Sequence, residues 1–463
     1  MAARKSLPVT TGARSTTIGF VNLGCAKNQV DAEVMLGSLT AEGYALTADA
    51  AQADVIVINT CGFVEEAKQE SINAIIEYGS FKKTGRCKVL VAAGCLAQRY
   101  QGELLEELPE LDAVVGTGEI GRIAEICRTT LAAERPSQQL WMAPPPYLYD
   151  GLTPRLRLGP PHTAYVKIAE GCNRNCAFCA IPLMRGKQRS RTVASIVEEV
   201  RRLAAEGVKE INLISQDTIN YGVDLGLKRG LTALLKALVD IPGLRWIRPF
   251  YLYPQPIDEE LIELYAGSER IAKYLDMPLQ HINDEVLGRM HRLGTKASIT
   301  DLIEGLRRRI PGLTVRTGFI VGYPGETNAQ FAELKRYLTD MEFDRVGVFL
   351  YSDEEGTPAV ELTRKLDRQR IEARRTELMA LQESIALKKS RLMVGRTLEV
   401  LVDGPSEESP LLLAGRHEGQ APDIDGVVYL SDGPADRPPL AGDLVKVTIT
   451  EAAAYDLVGC IVG

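Results

Sequence analysis

At 463 residues the chain is longer than one hydrophobic core sustains, so two or three domains are expected. A composition of 45% hydrophobic and 25% charged residues with 41 glycines is that of an ordinary globular protein and excludes a disordered or fibrous chain. A net charge of −7 argues against a general nucleic-acid binder, and no apolar run is long enough for a signal peptide or a spanning helix, so the expected location is cytoplasmic with no membrane partner.

Residues 1–15 read as a polar tail. From 16 to 134 the apolar runs TIGFVNL, ADVIVIN and KVLVAA alternate with amphipathic helices predicted over 31–42 and 65–78, the pattern of a parallel α/β sheet. Residues 135–161 lose periodicity and carry PPP and GPP, which predicts a linker. Between 162 and 394 six strand candidates, AYVKIA, EINLIS, WIRPFYLY, KYLDM, TVRTGFIV and RVGVFLY, are separated by helical patterns. Eight such units close a β/α barrel, so six predict an open (β/α)6 partial TIM barrel with its chemistry at the strand carboxyl ends. A long helix from about 363 to 393 follows, with Leu378, Leu381, Ile385 and Leu392 on one stripe. The tail, 395–463, switches to period-two alternation with Gly, Pro and Asp turns, which predicts a small antiparallel β-barrel.

Nine cysteines in a reducing compartment are not a disulfide framework, so those that cluster point to metal or catalysis. The segment AEGCNRNCAFCAIP sets Cys172, Cys176 and Cys179 on one loop directly after the first barrel strand. Such a loop wraps a 4Fe-4S cube and supplies thiolates to three irons, leaving the fourth iron open to a small chelating molecule. The competing readings are three unrelated buried cysteines, or a zinc knot with His162 as fourth ligand, although His162 lies ten residues upstream across the strand. Cys25, Cys61 and Cys95 each follow an apolar run, in FVNLGC, IVINTC and LVAAGC. Carboxyl ends of parallel strands share one edge of a sheet, so these thiols converge, and a second three-thiol 4Fe-4S site is expected. Cys87, Cys127 and Cys460 follow no such rule and are expected to be structural.

The cysteine loop, with Phe178 between its second and third thiols, resembles that of the radical S-adenosylmethionine superfamily. LGCAKNQVDAEVM, NTCGFVEEAK and AGCLAQRY are similar to the amino-terminal domain of the methylthiotransferases, and GRHEGQAPDIDGVVYL is similar to the TRAM domain, so the resemblance covers nearly the whole chain. It implies two 4Fe-4S clusters and two uses of S-adenosylmethionine, as methyl donor and as radical source, for inserting sulfur into a C–H bond. It also implies a low-potential electron donor of the flavodoxin or ferredoxin type.

For the cofactor, strand-end residues Ser215, Gln216, Asp217 and Gln280, and Arg316, Gly318 and Gly322 in RTGFIVGYPGE, are candidates, against the simpler reading that they only shape turns and caps. The glycine-rich turn is not a phosphate loop, because no lysine follows at the required spacing. Its glycines are expected to let backbone approach the adenosine. Two branches of the resembling family act on an aspartate of the twelfth protein of the small ribosomal subunit and on an adenosine of transfer RNA. From Gly395 onward Arg396, Arg416, Arg437 and Lys446 stand against Glu399, Asp403, Glu407, Glu408, Glu418, Asp423, Asp425, Asp432, Asp436, Asp443, Glu451 and Asp456, a balance of −8. An acidic terminal barrel repels RNA and attracts a basic ribosomal protein, unless it is merely a solvated face. IPLMRGKQRSR, ISQDT and YLYP likewise resemble the ribosomal-protein branch. The basic strip Arg185, Lys187, Arg189 and Arg191 is the feature the RNA reading needs, and it equally suits the carboxylate of a target aspartate. A non-catalytic iron-sulfur carrier is the remaining alternative.

Overall fold

The computed structural model describes residues 15–134, 138–143, 147–406, 408–409, 412–431 and 438–462. Among these no helix is long and apolar enough to cross a membrane. The chain divides into an amino-terminal unit, essentially Ser15 to Tyr147 with Pro154–Leu156, and a second unit holding almost everything after Arg157.

The amino-terminal unit is a six-stranded, wholly parallel sheet of β1 (Thr17–Asn22), β2 (Ala45–Thr47), β3 (Val55–Thr60), β4 (Val89–Gly94), β5 (Ala113–Val115) and β6 (Gln139–Trp141), in the order β2-β1-β3-β4-β5-β6. VIVINT and VLVAAG are buried at every position, as central strands covered by helices on both faces must be. Register places Asn22, Asn59 and Ala93 side by side, so β1, β3 and β4 end level with one another. Strand β6 falls inside the stretch expected to be linker. Three residues paired to an edge carry too little periodicity to announce a strand. The same stretch is anchored elsewhere too: Arg155 forms a buried pair with Glu33 at 2.5 Å within this unit, and Tyr149 is buried in the second unit, where its hydroxyl accepts from the Lys167 N–H. The PPP residues lie outside the described residues.

In the second unit, β7 (Thr163–Lys167) is followed by a two-stranded ribbon, β8 (Ala169–Glu170) with β9 (Arg189–Ser190), and then by β10 (Glu210–Ile214), β11 (Trp246–Pro249), β12 (Tyr274–Asp276), β13 (Thr314–Val321) and β14 (Arg345–Leu350). β7, β10 and β11 form one parallel sheet, β12, β13 and β14 another, and the Ile247–Ile271 bridge joins them. This is the open six-stranded barrel the sequence predicts. Val166, Ile211, Leu213, Val315, Phe319 and Val346 pack outward against the helices. The alternating positions are polar, with Glu210, Asn212, Arg248 and Asp276 fully buried on the inner face. The long helix runs Arg368–Arg391, capped by Asp367. Leu378 and Ile385 are buried as expected, whereas Leu392 lies beyond the last turn and is 64% exposed.

Strands β15 (Thr397–Pro405), β16 (Leu413–His417), β17 (Val428–Leu430), β18 (Leu444–Ala452) and β19 (Leu457–Ile461) close a five-stranded barrel, antiparallel except for β17 with β19. Bulges at Val402/Gly404 and Ile449/Glu451 supply the bend that closure demands. This small barrel docks on the floor of the large one, at the amino ends of its strands. Arg416 reaches Glu210 at 2.7 Å and Asp403 at 2.9 Å, Arg248 holds the other Glu210 oxygen at 2.9 Å, and Asp403 meets His162 at 2.8 Å. Tyr165 and Tyr274 donate to Asp423 and Asp425, Arg245 pairs with Glu399, and the Lys273 N–H donates to Glu418.

Five of the twelve acids counted in the tail, Glu399, Asp403, Glu418, Asp423 and Asp425, are therefore engaged by partners on the large barrel's floor, so the charge count alone overstates how much of the terminal barrel's acidity is left unpaired. A charge count along the chain does not distinguish a solvated carboxylate from one already paired. Glu407, Asp432 and Asp436 lie outside the described residues.

His417 sits in this floor, its Nδ1 accepting from the Gly419 N–H at 3.0 Å. Desolvation, and then Arg345, Arg248 and Arg416, push its imidazole down to about 3. Its unfolded-state value is about 6.5, so the folded state holds it neutral while the unfolded chain takes up a proton. The stability it contributes is complete above about pH 6.5 and drains away as the pH falls towards 3. Melting temperature followed from pH 7 to pH 4 is expected to fall less steeply in His417→Gln than in the parent; parallel curves contradict the assignment.

Candidate active site

The Cys172 loop is built by the short ribbon at the mouth of the open barrel. Gly171 has φ +80°, and a Cβ there would lie 2.3 Å from the Lys187 carbonyl oxygen, so only glycine lets β8 turn back under β9. The Cys172 N–H donates to the Gly186 carbonyl at 3.0 Å, the Ala177 N–H to Met290 at 3.0 Å, and the Ala359 N–H to Ala177 at 2.8 Å, which fixes the loop from three sides. Phe178 packs against Val286, Met290, Tyr323 and Tyr351 and thereby acts as the loop's apolar foot.

Burial pushes the Cys172 thiol up to about 11 and Cys179 up to about 12, so thiolate at these positions requires a cation beside it. Two sulfurs already receive donors, Cys172 from the Arg174 N–H at 3.4 Å and Cys176 from Arg292 Nη1 at 3.7 Å. Among the described residues no three Cys, His, Asp or Glu side chains are set around a single metal ion. His162, the fourth ligand a zinc knot needs, is committed to Asp403 at the opposite end of the strand. A donor set of three thiols with no fourth protein ligand fits a multi-iron cluster with one iron left for an outside ligand better than it fits a tetrahedral ion.

Of the strand-end candidates, Gln216 and Asp217 line this mouth. Gln216 Nε2 donates to Glu170 at 2.9 Å, and Asp217 accepts from Arg174 at 2.6 Å and Asn220 at 2.7 Å. Gln216 Oε1 and Asp217 Oδ1 are buried without a hydrogen-bond partner, two acceptors facing a place for a donor. Ser215 differs. It is fully buried and shares a 2.9 Å hydrogen bond with Thr218, so it closes its own turn.

Gln280 adopts φ +73° and clamps β13 through two 2.7 Å backbone hydrogen bonds, to Gly318 and from Ile320. Arg316 is held at 2.6 Å by Asp276, whose other oxygen accepts from the Tyr251 N–H. Gly318 and its cross-strand partner Gly347 both fall on the inner face, where the exposed Phe349 ring lies over them: a Cβ on either glycine would stand 3.2 Å from it. Gly322 has another reason to be glycine: a Cβ there would lie 2.5 Å from Ile371 of the long helix, so it serves packing where cofactor approach was expected.

Sequence reasoning missed Glu170, Arg174, Tyr253 and Arg292. Glu170 is buried between Lys167 at 2.6 Å and Arg185 at 3.1 Å. Burial opposes its charge, and the two cations outweigh this and hold its carboxyl below the usual range. The expected basic strip is likewise largely internal. Arg185 serves Glu170, Arg191 is buried against Glu199 at 2.5 Å, and Arg189 donates to the carbonyls of Lys187 and Arg185, leaving Lys187 as its exposed cation.

In the amino-terminal unit the three strand-end cysteines converge. Cys25 caps the helix Ala26–Ala41, Cys61 follows β3, and Cys95 opens the helix Cys95–Tyr100. A Cβ on Gly24 would lie 3.2 Å from Cys61 Sγ, and one on Gly62 would lie 2.9 Å from the Leu96 nitrogen. Buried Asn28 ties the three ends, its Nδ2 donating to Leu23 at 3.0 Å and Thr60 at 2.9 Å while its Oδ1 accepts from Cys95 Sγ at 3.5 Å. Three thiols on one sheet edge, with Cys25 exposed, again fit a cluster lacking a fourth protein ligand. Cys87 and Cys127 are buried in the sheet's two apolar layers, and Cys460 lies on β19 beside Ser431.

Residues 17–116 match the Uncharacterized protein family UPF0004, 166–338 the Radical SAM superfamily and 394–462 the TRAM domain. The chain is 48% identical over 445 residues to "Ribosomal protein uS12 methylthiotransferase RimO" of Syntrophotalea carbinolica, covering 96% of each chain. Proteins of the same name are 50% identical in Sorangium cellulosum, over 96% of this chain and 91% of that one, and 46% identical in Bdellovibrio bacteriovorus, over 97% and 98%. Among solved structures, the radical S-adenosylmethionine methyltransferase TsrM from Kitasatospora setae, with cobalamin and a 4Fe-4S cluster bound, shares the fold at a TM-score of 0.54 and 16% identity, over 75% of this chain and 77% of that one.

Proposed function

The chain belongs to the RimO family of ribosomal protein uS12 methylthiotransferases, and from that premise we propose that it replaces a hydrogen on the β-carbon of one aspartate of uS12 with a methylthio group. In this reading Cys172, Cys176 and Cys179 hold one 4Fe-4S cluster and Cys25, Cys61 and Cys95 a second. When bound, a cluster with an open iron supplies a chelating site and a low-potential electron for S-adenosylmethionine.

The chain's own residues do the rest. The backbone anchors at Met290 and Ala359 keep the three thiols of the barrel loop in place. Gln216 Oε1 and Asp217 Oδ1, acceptors without partners, orient the cofactor's ammonium, and the exposed Phe349 ring, seated over Gly318 and Gly347, offers an apolar face to its adenosine. Gln280 shapes the wall under that ring, and Arg316 with Asp276 stiffens it from below.

The observation that carries the reading is the presence, in a chain similar along nearly its whole length to enzymes of this name, of two separate three-thiol sites at strand carboxyl ends. A basic ribosomal protein suits a chain of net charge −7 whose terminal barrel still exposes Glu408 and Glu451. The transfer-RNA alternative is weakened because the strip it needs is mostly buried. A protein of the flavodoxin or ferredoxin type is the proposed electron donor. Mass spectrometry of uS12 from a strain lacking this gene should find the methylthio group missing and restored by complementation. An intact modification in the deletion strain, or loss of a methylthioadenosine from transfer RNA instead, overturns the assignment.

A further inference from the structure

Beside the Cys172 loop stands a three-layer stack formed by Arg174, Tyr253 and Arg292. Tyr253, buried, is sandwiched between two guanidinium groups, Arg174 at 3.7 Å and Arg292 at 4.0 Å from its ring centroid. Its hydroxyl accepts from the Leu293 N–H at 2.9 Å, so the ring is fixed at its edge as well as its faces.

The two arginines differ in their charge balance. Arg174 is neutralised by Asp217 at 2.6 Å and also donates to Gln255 at 2.5 Å. Arg292 donates to the Pro278 carbonyl and, at 3.7 Å, to Cys176 Sγ, and among the described residues no carboxylate stands within ion-pair distance of it. A half-buried cation without an anionic partner is costly unless an anion is meant to stand beside it. The nearest group able to carry that charge is the Cys176 sulfur.

We propose that Arg292, held flat by Tyr253 and tethered by Pro278, is a positioning residue that sets the reduction potential of the cluster on Cys172, Cys176 and Cys179. The inference rests on those cysteines being its ligands. Reduction adds one electron, delivered by the flavodoxin- or ferredoxin-type donor, and makes and breaks no bond at Arg292. A fixed positive charge and an N–H···S hydrogen bond both favour the more negative, reduced form and so raise the potential. Arg174, its charge already offset by Asp217, contributes mainly by holding the other face of the ring.

The test is a potentiometric titration of the oxygen-free, reconstituted full chain, following the electron paramagnetic resonance signal that changes when S-adenosylmethionine is added. Arg292→Met is expected to lower the reduced-to-oxidised ratio at a fixed potential about tenfold, which for one electron is about 59 mV. Arg292→Lys, keeping the charge but losing the planar stack, should give a smaller loss, and Tyr253→Leu should shift the ratio in the same direction by letting Arg292 swing away. Should Arg292→Met fail to fold, the latter two variants carry the comparison. Titration of the loaded variants at the parent's potential overturns this inference while leaving the ligand assignment standing. A parent chain that never yields the signal overturns the ligand assignment, and this inference with it.

Discussion

Replacing Cys25, Cys61 and Cys95 together by alanine is expected to remove about half of the bound iron and to reduce methylthio transfer to background, while deoxyadenosine formation from S-adenosylmethionine continues. The division follows from where the two sites lie. The cysteines of the barrel loop are anchored by backbone hydrogen bonds to Met290 and Ala359, and none of those anchors involves the amino-terminal sheet. Alanine is tolerated at all three positions in the sheet, because Cys61 and Cys95 bury a small side chain at strand ends and Cys25 is exposed. Alanine at Cys172, Cys176 and Cys179 should instead abolish both deoxyadenosine and product. Full product formation in the Cys25, Cys61 and Cys95 variant would remove the second cluster from the account. Liquid chromatography of the nucleoside and mass spectrometry of uS12 in the same reaction read both outcomes.

Arg416→Ala is expected to cost about 3–5 kcal/mol of stability, the range for removing one partner from a buried ionic network. Arg416 is the sole cation shared by Glu210 and Asp403 among the described residues, and Glu210 is fully buried. Its loss leaves Glu210 with Arg248 alone and Asp403 with His162. The cost should be strongly non-additive with Glu210→Gln, since the second change removes the charge that the first strands. Chemical denaturation of the single and double variants measures this. A change below about 1 kcal/mol for Arg416→Ala would be the behaviour of a surface pair and would contradict a desolvated interface.

How much of this was readable in advance depends on whether a residue's role is local. The three strand-end cysteines and the triplet were legible, because an apolar run followed at once by a thiol encodes both the strand and its end. The six barrel strands were legible for the same reason, each having its own apolar run. Strand β6 was not, since Gln139–Trp141 is a strand only because β5 offers it an edge. Pairing was invisible throughout. Arg185 and Arg191 look like a basic strip until the fold brings Glu170 and Glu199 against them, and Asp403, Asp423 and Asp425 look like a free acidic surface until the floor of the large barrel meets them. Gly322 was read as an opening for a cofactor, whereas its missing Cβ makes room for Ile371, almost fifty residues later in the chain.

The separate roles argued for the two ends of this enzyme come down to how much inorganic core each chain carries. Iron and acid-labile sulfide, assayed per polypeptide on oxygen-free preparations, should each come to about eight, as two cubes of four require. About four of each, or zinc in place of iron, would contradict a three-thiol cluster at both sites.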